Sequence, residues 1–198
     1  MKRPDTIIIA SANEHKIAEM KKAFEDYGVT VQSLKDHSNV GPINENGTTF
    51  KENAEIKARA VMAATGKPVV ADDTGLVVPA LNGEPGIRSA RYAGDHDDNA
   101  NNEKLLRELQ GKSDRSAYFT TELVYLTPEG EEVTAEGRIN GTILTARQGD
   151  NQFGYDPLFY VPEKQMTLAE MTIEEKNSIS HRGRAVTQLV GKLSEMWQ

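Results

Sequence analysis

Between Thr6 and Leu34 the chain changes hydrophobic period twice, and no other feature restricts its fold as much. Thr6-Ile7-Ile8-Ile9-Ala10 is a β-branched run ending in Ser11-Ala12-Asn13, which reads as a buried strand entering a turn. From Lys16 the spacing turns helical: Ile17, Met20, Phe24 and Tyr27 share a face, and Gly28 stops the helix. Val29 to Leu34 returns as a strand. Strand, polar turn, helix and strand make a βαβ-like opening, which places the chain among α/β folds.

Residues 36 to 48 are polar and carry Gly41-Pro42 and Asn46-Gly47, the signature of an exposed loop. Thr49-Phe50-Lys51-Glu52 fits a capping box and opens an alanine-rich helix to about Thr65, with Gly66 as its stop. Pro68 to Ala71 reads as a compact strand ending in Asp72-Asp73-Thr74-Gly75, with a further short strand over Leu76-Val77-Val78. Asn82 to Gly94 has little periodicity, and Asn99 to Gln110 predicts a helix burying Leu105, Leu106 and Leu109. Ala117–Leu126 and Glu132–Arg138 flank Thr127-Pro128-Glu129-Gly130 as an antiparallel hairpin, extended by a third strand near Thr142–Ala146. A last helix from about Arg182 to Trp197 buries Val186, Leu189, Val190, Leu193 and Trp197. The sheet is therefore expected to be mixed, parallel early and antiparallel late. With no repeat or linker, the 198 residues are expected to form a single domain.

Composition narrows function more than fold. A formal charge of −7 offers no basic field to collect a polyanion, so nucleic-acid binding is disfavoured. A small anionic ligand can still be met by a few lysines or a divalent metal. The absence of cysteine excludes disulfides, thiolate catalysis and Cys-ligated zinc. Met1-Lys2-Arg3-Pro4 mimics the start of a signal peptide, but the apolar run after it is short of the roughly 7–15 residues required. No stretch approaches the ~18 apolar residues of a membrane span. The expectation is a soluble, cytoplasmic protein.

Polar residues gather at the ends of the expected strands, where open α/β sheets bind ligands. Ser11, Asn13 and Lys16 surround a helix N-terminus suited to phosphate, although Ser11 or Asn13 can equally serve as a helix cap. No Walker A loop is present. Asp72 and Asp73 repel each other unless a cation compensates them, and strand alternation sends them to opposite faces; a solvated turn is the other reading. Magnesium suits such a position, and Glu45 is a possible second carboxylate. Lys57 shares a helical face with Asn53, as a solvated surface lysine would too. Phe153-Gly154-Tyr155-Asp156-Pro157 can stack on a nucleobase and accept from its ring N–H groups, or simply pack a turn. Lys176, His181 and Arg182 place cations near a helix start, against the dipole, either as an exposed basic turn or for an anionic or carbonyl-bearing ligand. His15, His37 and His96 have no metal-like spacing.

Taken in order, six segments resemble the inosine triphosphate pyrophosphatase family, whose dITP/XTP pyrophosphatase members cleanse nucleotide pools. They are Ser11-x-Asn13-x-x-Lys16, Glu45-Asn46-Gly47-x-Thr49-Phe50-x-Glu52-Asn53-Ala54 and Ala71-Asp72-Asp73-Thr74-Gly75-Leu76, followed by Pro85-Gly86-x-x-Ser89-Ala90-Arg91-Tyr92, Phe153-Gly154-Tyr155-Asp156-Pro157 and Ser180-His181-Arg182. Each is modest alone; together they span the chain. The resemblance implies an elongated mixed β-sheet flanked by helices, two lobes sharing that sheet with a central active-site cleft, and a homodimer. It implies that Ser11, Asn13 and Lys16 hold a triphosphate with help from Lys57, and that Glu45 and Asp73 organise Mg2+. Asp73 would also be the general base, and Thr74 would contact substrate. Phe153, Gly154, Tyr155, Asp156, Lys176, His181 and Arg182 would form a base pocket. Relatives often carry serine at position 74 and threonine at 11, exchanged here, and an acidic residue where Asn44 stands.

The implied reaction is attack of an Asp73-oriented water on the α-phosphorus of ITP, dITP or XTP, giving the monophosphate and pyrophosphate. Donors such as Lys176 or His181 meet a 6-carbonyl but leave a 6-amino group unpaired, a mismatch of roughly 1–3 kcal/mol. Guanine shares that carbonyl, so its exclusion requires rejection of the 2-amino group. The alternatives are a pyrophosphatase for modified pyrimidine or methylated nucleotides, a nucleotide-binding regulatory module without turnover, and an RNA-binding accessory factor.

Overall fold

Three consecutive isoleucines cannot alternate between core and solvent, so the strand carrying them must be covered on both faces. The computed structural model, which describes residues 1–198, shows how. In chain order the elements begin with β1 (Thr6–Ile9), α1 (Glu14–Glu25), β2 (Thr30–Ser33), α2 (Phe50–Thr65) and β3 (Val69–Val77). They continue with α3 (Asp98–Glu108), β4 (Ser116–Leu126), β5 (Glu132–Ile143), β6 (Phe159–Val161) and β7 (Met166–Thr167). Two helices, α4 (Ile173–Ile179) and α5 (His181–Met196), close the chain. The strands form one sheet in the order β2-β1-β3-β4-β5-β6-β7. β1 pairs parallel with β2 and β3, and β6 pairs antiparallel with β5 and β7, so the sheet is mixed in the expected sense.

The chain divides into two compact units: Met1–Asp73, Thr121–Gly137 and Arg182–Gln198 form the first, Thr74–Thr120 and Arg138–His181 the second. In the first unit, strand alternation builds two cores. Ile7, Ile9, Val70, Leu123 and Tyr125 pack with Met20 and Phe24 of α1 and Leu189 and Leu193 of α5. Ile8, Ala10, Val69, Ala71 and Val124 pack with Ala54, Ala58 and Val61 of α2. Each fully buried large aliphatic contributes about 1.5–3 kcal/mol, which fixes the register because a one-residue slip would exchange every contact. In the second unit a single core joins Leu76, Val78, Leu105, Leu109, Phe119, Ile139, Ile143, Leu158 and Phe159.

Several elements depart from the sequence reading. The expected turn at Asp72–Gly75 is absent: β3 is one strand of nine residues, in which Asp72 is met by Lys16 and Lys57 and Asp73 by Asn53. The separate strand expected near Thr142–Ala146 does not form: Thr142 and Ile143 end a continuous β5, and residues 144–146 lie outside any strand. Leu106 is only partly buried, the buried residues of α3 being Asn101, Asn102 and Leu105, and Trp197 is partly buried against Phe24 and Tyr27. The short strands β6 and β7 and helix α4 lack a periodic signal of sufficient length. Lys176 lies in the last turn of α4, where a cation is favoured by the helix dipole, so the dipole conflict concerns only His181 and Arg182 at the start of α5.

Candidate functional site

On β3 the parity that sends Val70 to one face and Val69 and Ala71 to the other continues into the carboxylates. Asp72 follows Val70 toward α1, where Lys16 Nζ donates to its Oδ2 at 2.7 Å. Asp73 follows Ala71 toward α2, where the Asn53 side chain hydrogen-bonds its carboxylate. Lys57, one helical turn after Asn53, serves both neighbours. Its ammonium donates to the Asp72 carbonyl at 2.7 Å, lies 3.9 Å from Asp72 Oδ1, and is 3.2 Å from Glu45. Burial pulls the Lys57 ammonium down, but Asp72, Glu45 and Asp73 together hold its pKa above the ordinary value.

The two aspartates are driven apart. Burial pushes Asp72 up, yet Lys16, Lys57 and Arg182 outweigh it and hold the carboxyl below its usual range. Burial likewise pushes Asp73 up; Lys57 and Asn53 oppose it only in part while Glu45 and Asp72 add repulsion, and its pKa reaches about 6. Asp72 is thus a permanent anion, whereas Asp73 is ionised at neutral pH and still basic. Such a divergence separates a structural charge from a proton acceptor.

Around this pair the expected residues take definite places. Asn13 caps α1, its Oδ1 accepting from the N–H groups of His15 and Lys16, and Ser11 Oγ accepts from Asn13 N–H. The capping reading therefore holds for Asn13, whose side chain takes the first-turn N–H groups of His15 and Lys16, while Ser11 closes the turn that precedes the helix. Glu45 sits half-buried in the loop before α2. Arg182, expected with a base pocket, donates to Glu19 on α1 at 2.6 Å and is placed by that contact and its effect on Asp72 with the Lys16–Asp72 set. Asn53, to which the sequence assigns no role, joins the site. It is 3% exposed, and its Oδ1 also accepts from Gly47 N–H at 2.8 Å, tying the Glu45 loop to Asp73. A side chain at Gly47 would begin 2.8 Å from that oxygen, so the close approach requires glycine. Its spacing to Lys57 was the signal available.

No three or more His, Cys, Asp or Glu side chains are gathered into a metal cage. The donors at hand are the oxygens of Glu45 and Asp73, a set that suits a hard cation completing its shell with water and ligand phosphates.

In the second unit, Asp156 is 5% exposed and ion-paired to Lys176. Burial holds its carboxyl above the ordinary range, Lys176 offsetting this only in part and Asp98 adding to it. Phe153 is 66% exposed, with the Lys176 ammonium 5.4 Å from its ring centre. Gly154 adopts φ +53°, a left-handed conformation that lets the chain turn between that exposed ring and the buried Tyr155. Tyr155 donates its hydroxyl to the Ser89 carbonyl at 2.6 Å. His181 stacks on Phe119, rings 5.3 Å apart and 17° from parallel. Thr74 is half-buried on β3, directly after Asp73.

The Ham1 family matches this chain over residues 7–192. The dITP/XTP pyrophosphatase of Lactiplantibacillus plantarum is 51% identical, covering 100% of this chain and 98% of that protein. Among solved structures, the Ham1 protein of Staphylococcus aureus superposes with a TM-score of 0.90 at 43% identity, over 96% of this chain and 99% of that one. A HAM1 protein from Coxiella burnetii gives 0.91 at 42% identity, over 96% and 98%.

Proposed function

The chain belongs to the Ham1 family, and from that premise we propose that it is a nucleoside-triphosphate pyrophosphatase converting ITP, dITP and XTP to the monophosphate and pyrophosphate. The observation that carries the reading is the divergence of two adjacent carboxylates, one locked by Lys16 and the other lifted to about 6 beside Lys57 and Glu45. The name of the Lactiplantibacillus plantarum relative supports the substrate class.

Lys16 and Lys57, with the hydroxyl of Ser11 and the side-chain N–H groups of Asn13, hold the polyphosphate. Glu45 and Asp73 would hold magnesium, which takes one or two carboxylates readily when phosphates supply further oxygens. Bound there, magnesium supplies charge neutralisation to the polyphosphate. Asp73 orients the attacking water and accepts its proton, and Thr74 contacts the substrate. Phe153 offers its exposed ring to the base, the Gly154–Tyr155 backbone shapes the turn, and Asp156, Lys176 and His181 supply polar partners for the purine edge. Arg182 contributes charge to the Lys16–Asp72 set. Most of the acceleration comes from positioning and charge stabilisation rather than from covalent chemistry. The same reading makes the protein a cytoplasmic homodimer; a monomeric mass by light scattering would remove the dimer.

The test is turnover of XTP, dITP, ITP, GTP and ATP with added magnesium, with products identified. XTP, dITP and ITP should yield monophosphate and pyrophosphate well ahead of GTP and ATP. Diphosphate as product, or equal turnover of all five, would overturn the proposal.

A further inference from the structure

α3 carries two adjacent asparagines that are almost fully buried, Asn101 at 2% and Asn102 at 3% exposure, in a helix otherwise held by leucines. Buried amides are costly unless they bond, so their partners indicate what they are for. Asn101 accepts from the N–H groups of Ala93 and Gly94 and donates to the Ala90 carbonyl, fixing the segment after Ser89. Asn102 spends one N–H on the Asp98 carbonyl of its own helix at 2.7 Å and the other on the Gly154 carbonyl at 2.8 Å. Because the amide is planar and one hydrogen is committed to the helix, the direction of the second is fixed. Asp98, one helical turn earlier on the same face, accepts the Gly154 N–H on its Oδ2 at 3.0 Å. Both polar groups of Gly154 are therefore gripped from α3, one by a carboxylate and one by a buried amide.

Gly154 is the residue between Phe153, which is exposed, and the Tyr155–Asp156 pair, which is buried. Nothing lies within 4 Å of a Cβ built on it, so glycine is required there by its left-handed φ and not by crowding. The turn is closed by Asp156 N–H on the Phe153 carbonyl at 3.1 Å, so the direction of the Phe153 ring and the place of the Asp156 carboxylate both follow from how Gly154 is held. The geometry points to Asp98 and Asn102 as positioning residues that set base selectivity through the Gly154 peptide. They touch neither phosphate nor metal donors, and their effect belongs to substrate recognition, not to the hydrolytic step. This inference rests on the proposed role of residues 153–156 in holding the base.

Steady-state kinetics of the full-length protein with XTP and ATP separate the possibilities. Asp98→Ala and Asn102→Ala should each raise KM for XTP roughly tenfold or more, by loss of a buried hydrogen bond, with kcat within about twofold. The XTP-to-ATP ratio of kcat/KM should fall by a similar factor. Asp98→Asn, which keeps an acceptor oxygen, should recover most of both losses, a rescue that a purely structural charge would not give. A wild-type KM and selectivity in both alanine variants would overturn the positioning role while the wild-type enzyme still cleaves XTP. Equal losses in kcat, or loss of the folded state in both, would make these side chains folding elements and overturn it as well. Failure of the wild-type protein to cleave XTP would instead sink the functional reading beneath it.

Discussion

Asp72 and Asp73 are chemically identical neighbours, and the sheet gives them opposite tasks. Asp72 faces Lys16 and keeps its charge; Asp73 faces α2, where burial outweighs Lys57 and Asn53. Asp73→Asn should retain nucleotide binding, with a weaker hold on magnesium, while turnover at saturating magnesium falls by at least about a hundredfold, the scale of a lost general base. Near-normal turnover would remove Asp73 from that role. The same shift has a cost in the metal-free protein. Its folded pKa is raised from 3.8 to about 6, so the stability linked to its proton is fully present below about pH 4 and lost as pH rises through about 6. In chelator at pH 8, Asp73→Asn should therefore be more stable than wild type by roughly 1–2 kcal/mol, partial exposure discounting the full ~3 kcal/mol of such a shift. Urea unfolding at pH 8 and pH 4 checks this, and the difference should vanish at the lower pH. The opposition of the two faces was legible from strand parity. The strength of the Asp73 shift was not, because it depends on Glu45, Asn53 and Lys57 arriving from other segments.

At the scale of elements, α2 carries both Asn53 and Lys57, so its first two turns line the site. Thr49 caps that turn, its Oγ1 accepting from Glu52 N–H at 3.0 Å. Thr49→Ala should cost about 1 kcal/mol in chemical unfolding. An unchanged midpoint would mean that the Glu45 loop, not the cap, fixes the entry to α2. Both ends of this helix were readable, Thr49 as its cap and the left-handed Gly66 as its stop, because caps are local chemistry; the reciprocal half of the expected capping box is displaced by one residue, Glu52 accepting from Thr48 N–H. β3 was not: acidic residues and a glycine signal a turn, whereas the strand runs on through Val77 with Asp72 met by Lys16 and Lys57 and Asp73 by Asn53, all from other segments. α3 shows the same limit. Its leucines announced a helix, whereas the burial of Asn101 and Asn102 is set by the segments they hold, residues 90–94 and Gly154.

For the whole molecule, the mixed sheet followed from a change of period near the start and a hairpin late in the chain, both short-range signals. The grouping of distant residues did not. Arg182 lies with Glu19 and influences Asp72, although its neighbour His181 stacks on Phe119. The central claim is that water, directed by Asp73, attacks the α-phosphorus. Hydrolysis of XTP in water enriched with the heavy oxygen isotope tests it most directly. The label is expected in the monophosphate, with none in pyrophosphate; label in the pyrophosphate, or release of orthophosphate in its place, would contradict it.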